Sequence, residues 1–326
     1  MATAAKWSDW IVFQLVRMVV ALVQAHSLES CRTFAWAFSH LAFDVLKLRK
    51  RITLKNLRHA FPEKTEQERR AIGRKMWEHL VLMVCEIIML PRKVHEENWA
   101  DHFHMRGCEP LLAQFLSGRA VMVVTAHHGN FEAAGFLLGL IGVKLHSVAR
   151  ALDNPYLHDY LNDWRQRSGQ SMIPKVGGLE WIVDVLQDRG AVALVADQYA
   201  GSKGVWVEFF GREASAHKGI ALMAMQHEPI VAMTHVTRAG KPLQFDVVVQ
   251  TILDPKRPPA EWGNVKSASQ WYTTEIERFV RLAPEQYWWL HDRWKEKKTT
   301  KPRRRPAASG DSPSVAAEVE SEAIAE

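Results

Sequence analysis

From residue 118 onward, short apolar runs rich in β-branched residues alternate with segments whose apolar residues recur at helical spacing. Runs of that length and composition fit strands covered on both faces. Ala120–Ala126 (A-V-M-V-V-T-A) and Ala191–Ala196 (A-V-A-L-V-A) read as buried strands. Val143–Arg150, Met172–Pro174, Pro229–Val236 and Phe245–Thr251 read as further strands. Between and after them, Glu132–Leu140, Tyr156–Arg167, Leu179–Gln187, His217–Gln226 and Ser267–Leu282 read as helices. Strands alternating with helices predict an α/β fold with a central, mostly parallel sheet flanked by helices.

The first hundred residues have a different rhythm and read as helical. Thr65-Glu-Gln-Glu68 is a capping-box pattern, and Ile72, Met76, Leu80, Val84 and Ile88 then recur on one face. Pro91 is expected to stop that helix. Further upstream, Trp10–Val23 is strongly apolar but is interrupted by Gln14 and Arg17. It is shorter than the ~20 residues of a spanning helix, and it lacks a basic start and a cleavage site. An interfacial helix, a short tilted anchor and a core helix all remain open for it. A second apolar stretch, Phe34–Leu46, ends at the basic cluster Lys47-Leu-Arg-Lys-Arg51, an order that suits an anionic leaflet; a solvated helix end reads the same way. These shifts divide the chain into a helical membrane-associating segment (1–60), a core (61–295) and a tail (296–326). The tail, basic and then rich in Ala, Ser and Glu, is expected to be disordered.

Composition narrows the partners. With 326 residues, 47% hydrophobic and 24% charged, the chain is globular and large enough for a substantial core. Its formal charge of +6 suits an anionic partner, and thirteen tryptophans favour a membrane surface over nucleic acid. Three scattered cysteines, Cys31, Cys85 and Cys108, make no disulfide framework and suit a reducing, cytosol-facing setting.

The chemistry concentrates at T-A-H-H-G-N-F-E, residues 125–132. His127 follows the carboxyl end of the first strand, where open α/β sheets bind ligands. Gly129 permits a tight turn, Asn130 suits a helix N-cap, and Glu132 falls in the first helical turn. A histidine so placed can take a proton from a hydroxyl, provided a carboxylate fixes its tautomer. Glu132 is one candidate partner. Asp197, at the end of A-V-A-L-V-A-D, is the other, and the sequence does not rank them. No H-E-x-x-H or cysteine-rich pattern supplies a metal site, no G-x-S-x-G elbow supplies a serine nucleophile, and neither a P-loop nor G-x-G-x-x-G occurs. Arg150, Arg167 and Arg212 stand near strand ends or turns and outline an anion-binding crevice.

Six ordered blocks, A-H-H-G-N-F-E, V-A-R-A-L-D-N-P-Y-L, R-S-G, L-V-A-D-Q, E-F-F-G-R and P-E-Q-Y-W-W-L-H-D-R-W-K, agree in order and spacing with a known pattern across about residues 5–295. In them the chain resembles the late lipid A biosynthesis acyltransferases and their lysophospholipid-acyltransferase-like relatives, whose H-x4-(D/E) pattern falls on His127 and Glu132. The resemblance implies a glycerolipid-acyltransferase-like core and O-acyl transfer at the cytoplasmic face of a bacterial inner membrane. The donor it implies is an acyl thioester of acyl carrier protein or coenzyme A, with no further cofactor. The acceptor it implies is a glycolipid hydroxyl, in the parent family on a lipid A precursor; a lysophospholipid or glycosylated phosphoinositide is the alternative. His127 would deprotonate the acceptor, with Glu132 orienting it and Asp197 as a second partner, and no covalent acyl-enzyme would form. Arg150 would bind phosphate or phosphopantetheine, alongside Asn130, Arg167 and Arg212. A lipid-ester hydrolase and a non-catalytic lipid-binding protein are the competing readings.

Overall fold

The computed structural model describes residues 6–260 and 262–295, so the tail at 296–326 lies outside the described residues. Helix α1 (Trp7–Ala25) leads into α2 (Leu28–His40), which continues as a π-helical turn at Leu41–Val45. Next come α3 (Lys50–Ala60) and the long α4 (Glu66–Lys93). Thr65 opens α4 with the expected capping box, its side chain and that of Glu68 each accepting the other residue's backbone N–H. Such a cap stabilises by about 1 kcal/mol. Pro91 does not stop the helix, which runs on to Lys93. So near the end, the ring forfeits a single ladder bond, and Val94 N–H still donates to Leu90 O at 2.9 Å.

No residue of α1 is buried, so the core-helix reading of this segment is overturned. The helix extends beyond the apolar run at both ends, and its 19 residues are long and apolar enough to cross a membrane by length and composition. Its inner edge is tied down. Phe13 stacks on Tyr156 at 5.7 Å, and the Asn154 amide donates to Asp9 O at 2.8 Å.

The sheet begins with β1 (Phe103–Arg106), followed by α5 (Glu109–Leu116), β2 (Val121–Thr125), α6 (Phe131–Leu140) and β3 (Leu145–Ala149). Then follow α7 (Pro155–Arg167), β4 (Gln170–Pro174), α8 (Leu179–Gln187) and β5 (Ala191–Val195). A hairpin, β6 (Val205–Phe209) and β7 (Arg212–Ala216), stands apart as its own two-stranded sheet. The chain returns through α9 (Lys218–His227), β8 (Ile230–Arg238), β9 (Phe245–Leu253) and α10 (Val265–Leu282).

The main sheet has seven strands in the order β1-β9-β8-β2-β5-β3-β4. From β8 to β4 all neighbours are parallel; β9 runs antiparallel to β8, and β1 runs parallel to β9. Strand β2 is central and covered on both faces, which is why its sequence is apolar without alternation. Met122 and Val124 join Val192, Leu194, Val231 and Met233 on the side packed by Tyr272, Ile276 and Phe279 of α10. Val121 and Val123 face the other way, with Ala191, Ile230 and Leu111. Each buried Val, Leu, Ile, Met or Phe among them contributes about 1.5–3 kcal/mol.

Strand β1, helix α5 and the hairpin escaped the sequence reading. The first two are too short for a period to show. Gly211 signals a turn, but the hairpin loop takes positive φ at Phe210 as well, and a phenylalanine there hides the two-residue turn.

Candidate active site

Strands β2 and β5 are parallel neighbours, and Thr125 pairs with Val195. His127 and Asp197 each lie two residues beyond that pair. The same register, prolonged by Ala196 N–H donating to Thr125 O at 2.9 Å, therefore carries them to one place above the strand ends. The chain leaves β2 toward β3 on one side and leaves β5 toward β8 on the other, so this is a topological switch point of the sheet.

Asp197 Oδ1 is 2.7 Å from His127 Nδ1. Burial alone would push the Asp197 carboxyl up, but the neighbouring His127 charge and hydrogen bond, with backbone N–H donors, hold it at about 2. An ionised carboxylate only accepts, so Nδ1 carries the ring proton and Nε2 is left with its lone pair. The side-chain Nε2 of Gln198 lies 3.4 Å from His127 Nε2, and an amide N–H there suits the same tautomer. The imidazole packs against the rings of Trp288 at 4.9 Å and Phe131 at 5.2 Å, which also touch each other at 5.8 Å, and its side chain is 17% exposed. Burial and the Asp197 charge keep the Tyr287 phenol well above its ordinary range, so it stays a neutral O–H.

Glu132 has a different partner. Arg165 of α7 grips it with a fork, Nε to Oε2 at 3.0 Å and a terminal guanidinium nitrogen to Oε1, and both side chains are mostly buried. Among the described residues no hydrogen bond joins Glu132 to His127. Of the two carboxylates left open by the sequence, Asp197 holds the imidazole and Glu132 holds an arginine.

Asn130 caps α6, accepting from Ala133 N–H at 3.1 Å, and its amide donates to Glu86 at 3.2 Å. It is fully buried and faces the protein, not the crevice expected of a substrate-binding residue. The three arginines assigned to that crevice are exposed. Arg150 is 75% exposed and paired with Asp153, Arg167 ends α7, and Arg212 starts β7 opposite Phe209. Among the described residues none of the three is hydrogen bonded to His127 or Asp197. The arginine that meets the H-x4-E motif is Arg165, two residues before Arg167. The signal for it was helical spacing: Leu157, Leu161 and Arg165 recur every fourth residue on one half-buried face of α7, which the exposed Arg167 does not share.

The loop between His127 and α6 is held closely. Gly129 has φ +61°, and a Cβ there would stand 1.8 Å from Val236 O, so no other residue fits without moving β8. Trp288 N–H donates to His127 O at 3.1 Å, and Gly129 N–H to Gln286 O at 2.9 Å. The block P-E-Q-Y-W-W thus closes over the site from the far end of the chain.

A partly buried, oriented imidazole with a free Nε2 is equipped to accept a proton from a hydroxyl. Comparison with known proteins supplies the family. The family described as bacterial lipid A biosynthesis acyltransferase matches residues 1–296. The lipid A biosynthesis lauroyltransferase of Escherichia coli (strain K12) is 26% identical over 91% of this chain and 94% of its own length. The lipid A biosynthesis palmitoleoyltransferase of the same organism is 26% identical over 78% of this chain and 81% of its own length. A phosphatidylinositol mannoside acyltransferase of Mycobacterium tuberculosis (strain CDC 1551 / Oshkosh) is 24% identical over 58% of each chain. With a family match that spans every described residue, this protein belongs to the bacterial lipid A biosynthesis acyltransferase family and is an acyltransferase.

Proposed function

We propose that the chain moves a fatty acyl group from an acyl thioester, carried by acyl carrier protein or coenzyme A, to a hydroxyl of a lipid A precursor or related glycolipid. This reading rests on the His127–Asp197 pair at the sheet's switch point. The acceptor hydroxyl gives its proton to His127 Nε2 as its oxygen attacks the thioester carbonyl. The tetrahedral adduct collapses, the C–S bond breaks, and the imidazolium returns the proton to the departing sulfur. The products are an ester and a free thiol, with no acyl-enzyme between them. Asp197 stabilises the imidazolium, and base and carboxylate together contribute roughly 10²–10⁴ in rate. Arg165, gripped by Glu132 at the first turn of α6, is the cation assigned to the developing oxyanion.

The same reading puts the reaction at the cytoplasmic face of the bacterial inner membrane. Along α1, Trp7, Ile11, Leu15, Met18 and Leu22 are exposed, a surface that suits lipid. Beyond α2, the turn at Lys47 and Arg49, both left-handed (φ 53° and 51°), gathers Lys50, Arg51 and Arg58 around a cavity of about 340 Å³. Cations beside exposed apolar helices fit an anionic leaflet.

The test is purified full-length protein given labelled acyl thioester with and without glycolipid. Label on the glycolipid supports the reading. Free fatty acid as the sole product, with or without acceptor, would make the protein a hydrolase and end it.

A further inference from the structure

Beneath the His127 loop lies a charged network with no place in the chemistry above. Glu86 is fully buried, and Arg238 nearly so. Arg238 Nε donates to Glu86 Oε1 at 2.5 Å and a terminal nitrogen to Oε2 at 2.7 Å. Glu86 also accepts from Leu243 N–H at 3.2 Å and from the Asn130 amide at 3.2 Å. The other terminal nitrogen of Arg238 donates to His79 Nδ1 at 3.0 Å, and His79 Nε2–H donates to Gly129 O at 3.2 Å. Burial, then the Arg238 charge, holds the His79 imidazole well below its ordinary value, so it is the neutral tautomer this chain of bonds requires.

The network reaches the loop by three routes. His79 donates to Gly129 O, and Glu86 takes the Asn130 side chain. Gln286 exchanges hydrogen bonds with the Arg238 backbone at 2.9 and 3.2 Å while its own carbonyl takes Gly129 N–H. His79 and Glu86 stand about two turns apart on one face of α4, so a single helix presents both. A buried ion pair is poorly explained as a stabiliser, because well-packed apolar replacements are often as stable or more so. What it supplies here is direction: a fork of fixed geometry joining α4, β8 and the loop.

We propose that the buried Glu86–Arg238 pair is a positioning device for His127, acting through His79 and Asn130 to hold residues 129–130 and thereby the imidazole against Asp197. The proposal rests on the reading of His127 as the base.

Two variants of the full-length enzyme test it. Glu86→Gln with Arg238→Met removes both charges together and keeps the volume close to that of the pair. Asn130→Ser keeps an N-cap oxygen for α6 but takes away the amide nitrogen that reaches Glu86. Both are expected to fold by circular dichroism and to lower kcat about ten- to hundredfold, as small misplacements of a reacting group do. KM for the thioester is expected to stay unchanged. Arg238→Lys, which keeps the charge without the fork, is expected to lose kcat to a similar degree. Folded variants with wild-type kcat would overturn the proposal, as would a change confined to KM. Failure of both variants to fold would overturn it too, leaving the pair a structural element only. His127→Ala, run alongside, separates the two readings: if it retains turnover, the base assignment fails whatever the pair does.

Discussion

Asp197 Oδ1 lies 2.7 Å from His127 Nδ1, while Glu132, the acid of His127's own motif, is turned to Arg165. The tautomer therefore depends on Asp197. Asp197→Asn is expected to lower the transfer rate roughly 10²–10⁴-fold with the protein folded, and His127→Ala by a similar factor. Initial rates with labelled thioester and saturating glycolipid measure both. A wild-type rate for folded Asp197→Asn would return the orienting role to Glu132.

Glu132 and Arg165 form one unit. Glu132→Ala and Arg165→Ala are each expected to cost at least about tenfold in turnover, and the double variant little more than the worse single one. Rates of the three variants close the cycle. Independent, multiplying losses would show that the two side chains act separately.

The strand ends that build the site could be read from the chain because two apolar runs each end in a polar residue, His127 and Asp197, and parallel neighbours align their ends. Register could not. The Thr125↔Val195 pairing decides between Asp197 and Glu132, and that pairing depends on strand order, which periodicity does not encode. Arg165 was hidden in a different way. The row Leu157, Leu161 and Arg165 is visible at helical spacing, but nothing local says that this row turns toward Glu132. Asn130 was read correctly as a cap from local chemistry, yet its inward amide depends on Glu86, on a helix far upstream. Caps such as Thr65 and Asn130 survived into the structure, Pro91 as a stop did not, and partners distant in sequence did not announce themselves.

Acid is expected to destabilise the fold above the range in which carboxylates titrate. Burial holds His235 and His217 at about 4 and His128 at about 3. In the unfolded chain these rings take protons near pH ~6.5. Between that pH and about 4 the unfolded state binds more protons than the folded one, so stability falls as pH falls through that window. Among the described residues His235 has no hydrogen-bond partner on either ring nitrogen, and it stacks on Phe279 at 5.0 Å. His235→Phe is therefore expected to flatten the decline in Tm between about pH 7 and pH 4, with melting curves across the range as the measurement. An unchanged slope would mean that His235 does not contribute.

The basic turn and α1 are separable by salt. Lys47 and Arg51 line both cavities of the cluster, and among the described residues neither has a salt bridge. At an anionic surface each cation contributes about 1 kcal/mol. Lys47→Ala with Arg51→Ala is thus expected to weaken partition onto phosphatidylglycerol vesicles about thirtyfold, the equivalent of about 2 kcal/mol. Partition onto phosphatidylcholine should not change, because there only the apolar face of α1 acts. Raising salt to about 1 M, where the Debye length is about 3 Å, should erase the difference between variant and wild type without releasing either from the bilayer. Release of both proteins by salt alone would mean that α1 does not insert and that charge holds the enzyme to its membrane.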